Sequence, residues 1–288
     1  MKQSLSYRIF NISNIGFFLI LAVVMAFPVY KVFITSIITV REQIASPLIL
    51  WPREPTLSAY RFIFRQGEIL RATQITVIVT ILGTFLSMLV TLLLAYGLSK
   101  QFLPFGKMIH RVLLVTMFID SGLIPYYMLV RTIGLTDNIM VNIIPVLVSL
   151  WNYLVIRSFF KLLPTSLEEA AIIDGASWPT VFFRIVIPLS MPVVATFTLF
   201  YAVGYWNTWW NSMLFCNDRT LQTLQLLLRR MIIQNETFNE MLARDVEAYY
   251  SEGVKMACCI LAMVPILIVY PFLQKYFAKG VLIGAIKG

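Results

Sequence analysis

Few side chains in this sequence are equipped for bond-making chemistry. Its one histidine, His110, has no cysteine or carboxylate cluster beside it to complete a metal site, and next to Arg111 it reads as a solvated residue at the inner membrane surface. No Gly-x-x-x-x-Gly-Lys-Ser/Thr run is present whose backbone amides could cradle phosphates. Paired carboxylates and a Ser-His-Asp set are missing from the apolar stretches as well. The residue types that stand out suit recognition instead. Tyr201, Tyr205, Trp206, Asn207, Trp209, Trp210 and Asn211 crowd one stretch. Aromatic faces beside amide side chains match sugar rings, which present apolar faces and hydroxyl edges. Trp209 and Trp210 equally fit an interfacial aromatic belt, which leaves Tyr205, Trp206 and Asn207 as candidates for a translocation path or its outer gate. Asp120 interrupts an apolar run, where an ionisable group is costly; it either faces a cavity or partner or stays neutral in a packed interface.

Composition says what kind of scaffold must hold these residues. Of the 288 residues, 59% are hydrophobic and 13% charged, against roughly 25% charged in a soluble domain. So few charges cannot cover a water-facing surface. Crossing a bilayer takes about 20 consecutive apolar residues in helical form, because unsatisfied backbone amides are too costly in hydrocarbon. Six stretches qualify: 12–30, 72–99, 112–130 with Asp120 inside it, 138–156, 188–214 and 256–274. The expected fold class is all-α, a polytopic membrane protein with six transmembrane helices in a single domain over 1–288. The first stretch is long and is not followed by a small-residue cleavage site, so it reads as a retained helix. Cys258 and Cys259 adjoin on one helix and Cys216 sits at the edge of a span, a distribution that argues against a disulfide framework.

With a cytoplasmic N-terminus, Lys100, Lys107, Arg111, Arg157, Lys161 and Arg184 fall on inner segments, opposed by Glu168, Glu169 and Asp174. The outer basic residues sit mostly in two long loops, 37–71 and 217–253, which follow the positive-inside rule poorly. Both termini are therefore expected in the cytoplasm. The net charge of +9 forms no Lys/Arg run and no aromatic-basic platform, so membrane orientation accounts for it and nucleic acid is not an expected partner.

The connections carry further signals. Segment 57–64 can lie as a short helix on the outer surface, and Gly134 reads as a helix stop. Leu221, Leu224, Leu227 and Leu228 recur at helical spacing, which predicts an amphipathic helix within the loop 217–253; that loop can touch an extracytoplasmic partner or serve as a solvated lid. The inner loop 161–187 is more distinctive. After Pro164, Thr165 or Ser166 is placed to cap a helix with Glu168 and Glu169 at capping-box spacing, and Gly175 is placed to stop it. A second short helix starts after Ser177, and Pro188 hinges it to the fifth stretch. The result is a compact helix-turn-helix beneath the membrane, carrying Ala170, Ala171, Ile172 and Ile173 among few charges. Such an element suits protein docking, although a loop lying flat on the membrane would have the same composition.

The run Glu169-Ala170-Ala171-Ile172-Ile173-Asp174-Gly175-Ala176, continuing to Ile185-Val186-Ile187-Pro188-Leu189, resembles the EAA loop of ABC-importer permeases. That loop reads Glu-Ala-Ala, three residues, Gly and a later Ile-x-Leu-Pro, whose final Leu-Pro is Ile187-Pro188 here. Gly122-Leu123-Ile124-Pro125-Tyr126-Tyr127, Arg157-Ser158-Phe159-Phe160, Tyr205-Trp206-Asn207 and the ending Gly284-Ala285-Ile286-Lys287-Gly288 narrow the resemblance to LplC-like permeases of maltose-type carbohydrate importers. Asp120 stands where that family has a small residue and Gln74 where an Asn is commoner.

The resemblance implies a type I ABC importer permease fold in a bacterial plasma membrane. It implies pairing with a second homologous permease around a central path, an ABC ATPase dimer beneath, and an extracytoplasmic sugar-binding protein that delivers an oligosaccharide or sugar derivative. In such systems the EAA helix seats in a cleft of the ATPase. Glu168, Glu169, Ala170, Ala171, Asp174 and Gly175 would then transmit its closure. Gly284, Ala285, Ile286, Lys287 and Gly288, within the tail 279–288, would lie near the ATPase pair, and the loop 217–253 would enter the binding protein's sugar cleft. ATP and Mg would sit on the partner, with no cofactor on this chain. The rival reading is a stand-alone secondary transporter, which would need an inverted repeat or several intramembrane acids; only Asp120 qualifies.

Overall fold

The computed structural model describes residues 5–45, 49–119, 121–234 and 251–285. Asp120, Ile286, Lys287, Gly288 and the stretch 235–250 of the second outer loop lie outside the described residues. Among those described, every regular element is helical, as the composition predicts.

The helices in chain order begin with α1 (Leu5–Ser36), α2 (Val40–Ala45), α3 (Ser58–Gln66) and α4 (Glu68–Ser99). Two segments are by themselves long and apolar enough to cross a membrane: Ile9–Ser36 in α1, with a mean hydropathy of 2.4, and Glu68–Ser99, with 2.5. The third expected span is divided instead. It consists of α5 (Gly106–Thr116) and α6 (Leu123–Thr132), and Gly122 between them adopts φ +75°, a conformation open chiefly to glycine. Pro125 falls in the first turn of α6, where its missing N–H has no intrahelical partner to lose.

The fourth and fifth expected spans are bent. The 3-10 turns over Ile139–Val146 meet α7 (Leu150–Leu162) at 49°, and the run Trp178–Leu189 meets Met191–Phe215 at 86°. Counting each bent pair as one span brings the number of candidate crossings to 4 among the described residues. The helix expected from Leu221, Leu224, Leu227 and Leu228 is α13 (Leu224–Arg229), and the last helix, α14 (Ser251–Ala285), covers the sixth expected span and carries Pro265 and Pro271 in its interior.

Two compact units make up the chain. In the first (Met1–Ile69, Leu228–Val264), α1 presents Phe10, Ile12, Phe17, Ile20, Val23 and Met25 outward, the surface a lipid-facing helix needs. Its C-terminal end is buried at Ile34, Thr35 and Ser36. There Ser36 Oγ lies 2.9 Å from Tyr60 Oη, and the Thr56 amide donates to the Ile37 carbonyl at 2.7 Å. The outer helix expected over 57–64 is α3, anchored by buried Phe62 and Ile63.

The second unit (Leu70–Leu227, Pro265–Gly288) is built on α4. Gly83, Ser87, Thr91 and Ala95 recur every four residues on one buried face of that helix. α11 (Met191–Trp206) runs antiparallel along this face, with Tyr205 Oη 2.7 Å from Ser87 Oγ and Tyr201 Oη 2.8 Å from Thr91 Oγ1. A methyl group added at Gly83 would sit 2.7 Å from the Tyr205 ring, so only glycine admits the ring there. Tyr201 also accepts the Ser149 amide at 3.0 Å, which ties the start of α7 to the same pair. Val79, Met88, Leu92, Tyr153, Ile156, Phe160, Phe182, Val186 and Phe197 fill the surrounding core. Apolar packing alone tolerates sliding, whereas each buried hydroxyl left unpaired costs about 1–3 kcal/mol, so these bonds fix the register of α11 on α4.

Candidate functional site

The loop 161–187 folds as a helical knob. It comprises α8 (Thr165–Ile173), α9 (Trp178–Val181), a π-helical turn over Phe182–Val186 and α10 (Ile187–Leu189). The expected Thr165 or Ser166 cap does not form. Pro164 occupies the cap position with no side-chain bond, and Glu168, the acid a capping box would use, is engaged elsewhere. The expected stop is in place. Gly175 has φ +86°, its N–H donates to the Ile172 carbonyl at 3.0 Å, and the Ala176 N–H reaches back to Ala171 at 2.9 Å. This is a Schellman ending, which needs a left-handed residue at the glycine position.

Two neighbouring glutamates on α8 meet different surroundings, one buried and one exposed. Glu168 is 6% exposed; its carboxylate forms an ion pair with Lys100 and accepts from Tyr96 Oη at 3.3 Å. The Lys100 ammonium lies 4.5 Å from the centroid of the Tyr96 ring. Ala171, one turn on, is half-buried against the core. Glu169, Ala170, Asp174 and Gly175 are exposed, as is Ile173 at 85%. Beside the knob, Trp178 packs on Phe102 with ring centroids 4.8 Å apart.

A second polar cluster lies at the same end of the unit. His110 Nδ1 is 2.9 Å from Tyr153 Oη and its Nε2 is 3.1 Å from Arg157 Nη1, while Arg157 Nε donates to the Leu98 carbonyl at 2.8 Å. A guanidinium can only donate, so Nε2 accepts and Nδ1–H points at Tyr153, the neutral tautomer. Burial, then the charges of Arg157 and Lys161, hold this imidazole below its usual pKa of 6.5. The solvated surface role expected for His110 gives way to a half-buried bridge between α5 and α7.

At the other end, α11, just before α12 (Trp210–Phe215), forms one wall of a cavity of about 1020 Å3. Its lining is mostly apolar and includes Val77, Thr80 and Ile81 of α4, Ser149, Asn152, and the run from Leu199 to Trp206. Tyr205 and Trp206 thus reach the cavity, while Asn207 is exposed and donates to its own helix at the Val203 carbonyl, 2.8 Å away. Asn211 is buried, donating to the Val141 carbonyl at 3.1 Å and accepting from Tyr126 Oη at 2.8 Å, so its amide is committed to holding α6 and the 3-10 turn together. Trp209 and Trp210 pack edge to face. Of the tail residues, Gly284 and Ala285 close α14.

Sequence reasoning missed Lys100, Tyr96, Tyr153 and Arg157. The one available signal was an acid with a basic residue at the inner end of a span, and Lys100 and Glu168 lie 68 positions apart.

An exposed EAA-like helix hung between bent apolar segments is therefore the most distinctive feature of this end of the unit. Residues 61–283 match the family described as binding-protein-dependent transport system inner membrane component. The chain belongs to that family. This transport component is 38% identical, over 98% of its length and 99% of the relative's, to the polygalacturonan/rhamnogalacturonan transport system permease protein YtcP of Bacillus subtilis (strain 168). It is 36% identical to protein LplC of the same organism, over 100% of this chain and 98% of that one. In three dimensions it superposes with a TM-score of 0.88 and 29% identity on a chain from the crystal structure of a bacterial ABC transporter involved in the import of the acidic polysaccharide alginate, covering 96% of this chain and 99% of that one. The fold is that of an ABC-importer permease subunit, a transport component of the membrane and not an enzyme.

Proposed function

We propose that this chain is a permease subunit of an ATP-driven importer that carries an oligosaccharide or sugar derivative across the bacterial plasma membrane. It crosses the membrane six times with both termini in the cytoplasm, and it works with a second homologous permease, an ABC ATPase dimer and an extracytoplasmic sugar-binding protein. The names of the relatives make a fragment of an acidic polysaccharide the first cargo to test. No relative found supports the stand-alone secondary transporter. ATP and Mg belong to the ATPase.

The observation that carries this reading is the outward face of α8, where Glu169, Ala170, Ile173, Asp174 and Gly175 stand exposed on a rigidly ended helix. A small, largely apolar helix with the acidic side chains of Glu169 and Asp174 at its exposed side fits a cleft in a partner and buries Ile173 there. Ala171 and Glu168 belong to the same helix but face inward, so they act on the partner through it. Gly284, Ala285, Ile286, Lys287 and Gly288 are assigned to contact with the ATPase pair, and Asp120, Tyr205, Trp206 and Asn207 serve the path or its outer gate.

The test is Glu169→Lys. It should abolish uptake and the co-purification of the ATPase while membrane insertion stays intact, because the reversed charge lies on the docking face and breaks no internal bond. Uptake at the normal rate would remove the docking role.

A further inference from the structure

Two routes lead from α8 to the cavity-lining part of α11. The covalent one runs through α9, the π-helical turn over Phe182–Val186 and the 86° bend after Leu189. Such breaks are where helices flex, so this route is a poor rod. The other is non-covalent. It passes from Glu168 to Lys100, the residue that follows the end of α4, then along that unbroken helix to Ser87 and Thr91, which hold Tyr205 and Tyr201.

We infer that Glu168 is a positioning residue that does not touch the ATPase: with Lys100 and Tyr96 it forms a strut that makes α4 follow any movement of α8. The inference rests on the importer reading above and adds a division of labour between the adjacent glutamates. Three features carry it. Glu168 is buried, whereas Glu169, about a quarter-turn around α8, is exposed. Its carboxylate has two partners, both at the C-terminal end of α4. Lys100 is itself half-buried and packed over the ring of Tyr96, so the pair is largely shielded from water. Tilting α8 away from α4 would strand a buried charge, which is far more costly than moving both helices together.

The experiment uses the assembled importer in proteoliposomes and measures ATP hydrolysed per sugar imported, together with ATPase co-purification. Glu168→Gln and Lys100→Met should keep the ATPase bound yet raise the ATP-to-sugar ratio about tenfold, the size of a typical coupling energy between sites. Partial misfolding would lower import and hydrolysis together and leave the ratio alone. Lys100→Arg preserves the ion pair and should stay near the wild-type ratio, and the exchange Glu168→Lys with Lys100→Glu should recover most of the loss. An unchanged ratio in Glu168→Gln would overturn the strut. Loss of the ATPase from Glu168→Gln, as expected for Glu169→Lys, would overturn it too and make Glu168 a docking residue. If Glu169→Lys leaves docking and uptake untouched, the docking role of α8 fails first and the strut falls with it.

Discussion

The contact between Gly83 and Tyr205 shows how closely α11 approaches α4. With the ring 2.7 Å from where a methyl would lie, Gly83→Ala must push Tyr205 off Ser87, an overpacking cost of about 1–3 kcal/mol. The alanine variant loses the Ser87 bond as well, whereas Tyr205→Phe pays only for leaving the buried Ser87 hydroxyl without this partner, about 1–3 kcal/mol. Thermal unfolding in detergent should therefore rank the alanine variant below the phenylalanine variant and both below wild type; an unshifted midpoint for Gly83→Ala would contradict the close approach. On the inner side His110 predicts a pH dependence. Its folded pKa lies below 6.5, so the unfolded chain binds the proton more readily. The stability held by the neutral bridge is present above 6.5 and is lost as pH falls through the lowered folded value. His110→Gln should flatten the dependence of the unfolding midpoint over that window, and a wild-type midpoint constant across it would rule the bridge out. The residue types at both places were plain in the sequence. Their partners were not, since Ser87 and Tyr205 are 118 positions apart and His110 and Arg157 are 47 apart.

At the scale of elements, the ending of α8 is the clearest local design. Any residue with a Cβ at Gly175 must adopt φ near +86°, a left-handed conformation that costs about 1–2 kcal/mol outside glycine and less for asparagine. Gly175→Ala should therefore loosen the knob and reduce ATPase co-purification more than Gly175→Asn; equal retention by both would show that the ending plays no part in docking. This stop and the outer helix α3 were legible in advance because turn chemistry and helical spacing are local signals. The break between α5 and α6 was not. An apolar run tells how much lipid-compatible surface a segment offers, but leaves open whether it is one straight helix, and the left-handed Gly122 decides that it is two. The same holds for the 49° bend, which lies within a stretch whose hydropathy is continuous, whereas the 86° bend falls beside Pro188, where the sequence predicts a hinge.

For the whole molecule, the importer scheme demands that the knob lie in the cytoplasm. Ala176→Cys should react with a membrane-impermeant maleimide in inside-out vesicles and stay unlabelled in intact cells, above the background from Cys259; labelling from outside would put the knob on the wrong face. Sequence alone determined the membrane class, the helical fold and the kinship with importer permeases, because these reside in run lengths and in contiguous motifs such as the one from Glu169 to Ala176. Tertiary structure alone decided which way each of those residues faces. Apolar residues lie on every side of α8, so no stripe distinguishes its inner face, and Glu168 and Glu169 read alike until the fold brings Lys100 against one and leaves the other in solvent. Electrostatic pairing depends on distance in space, and a chain of helices makes neighbours of residues whose separation in sequence carries no trace of it.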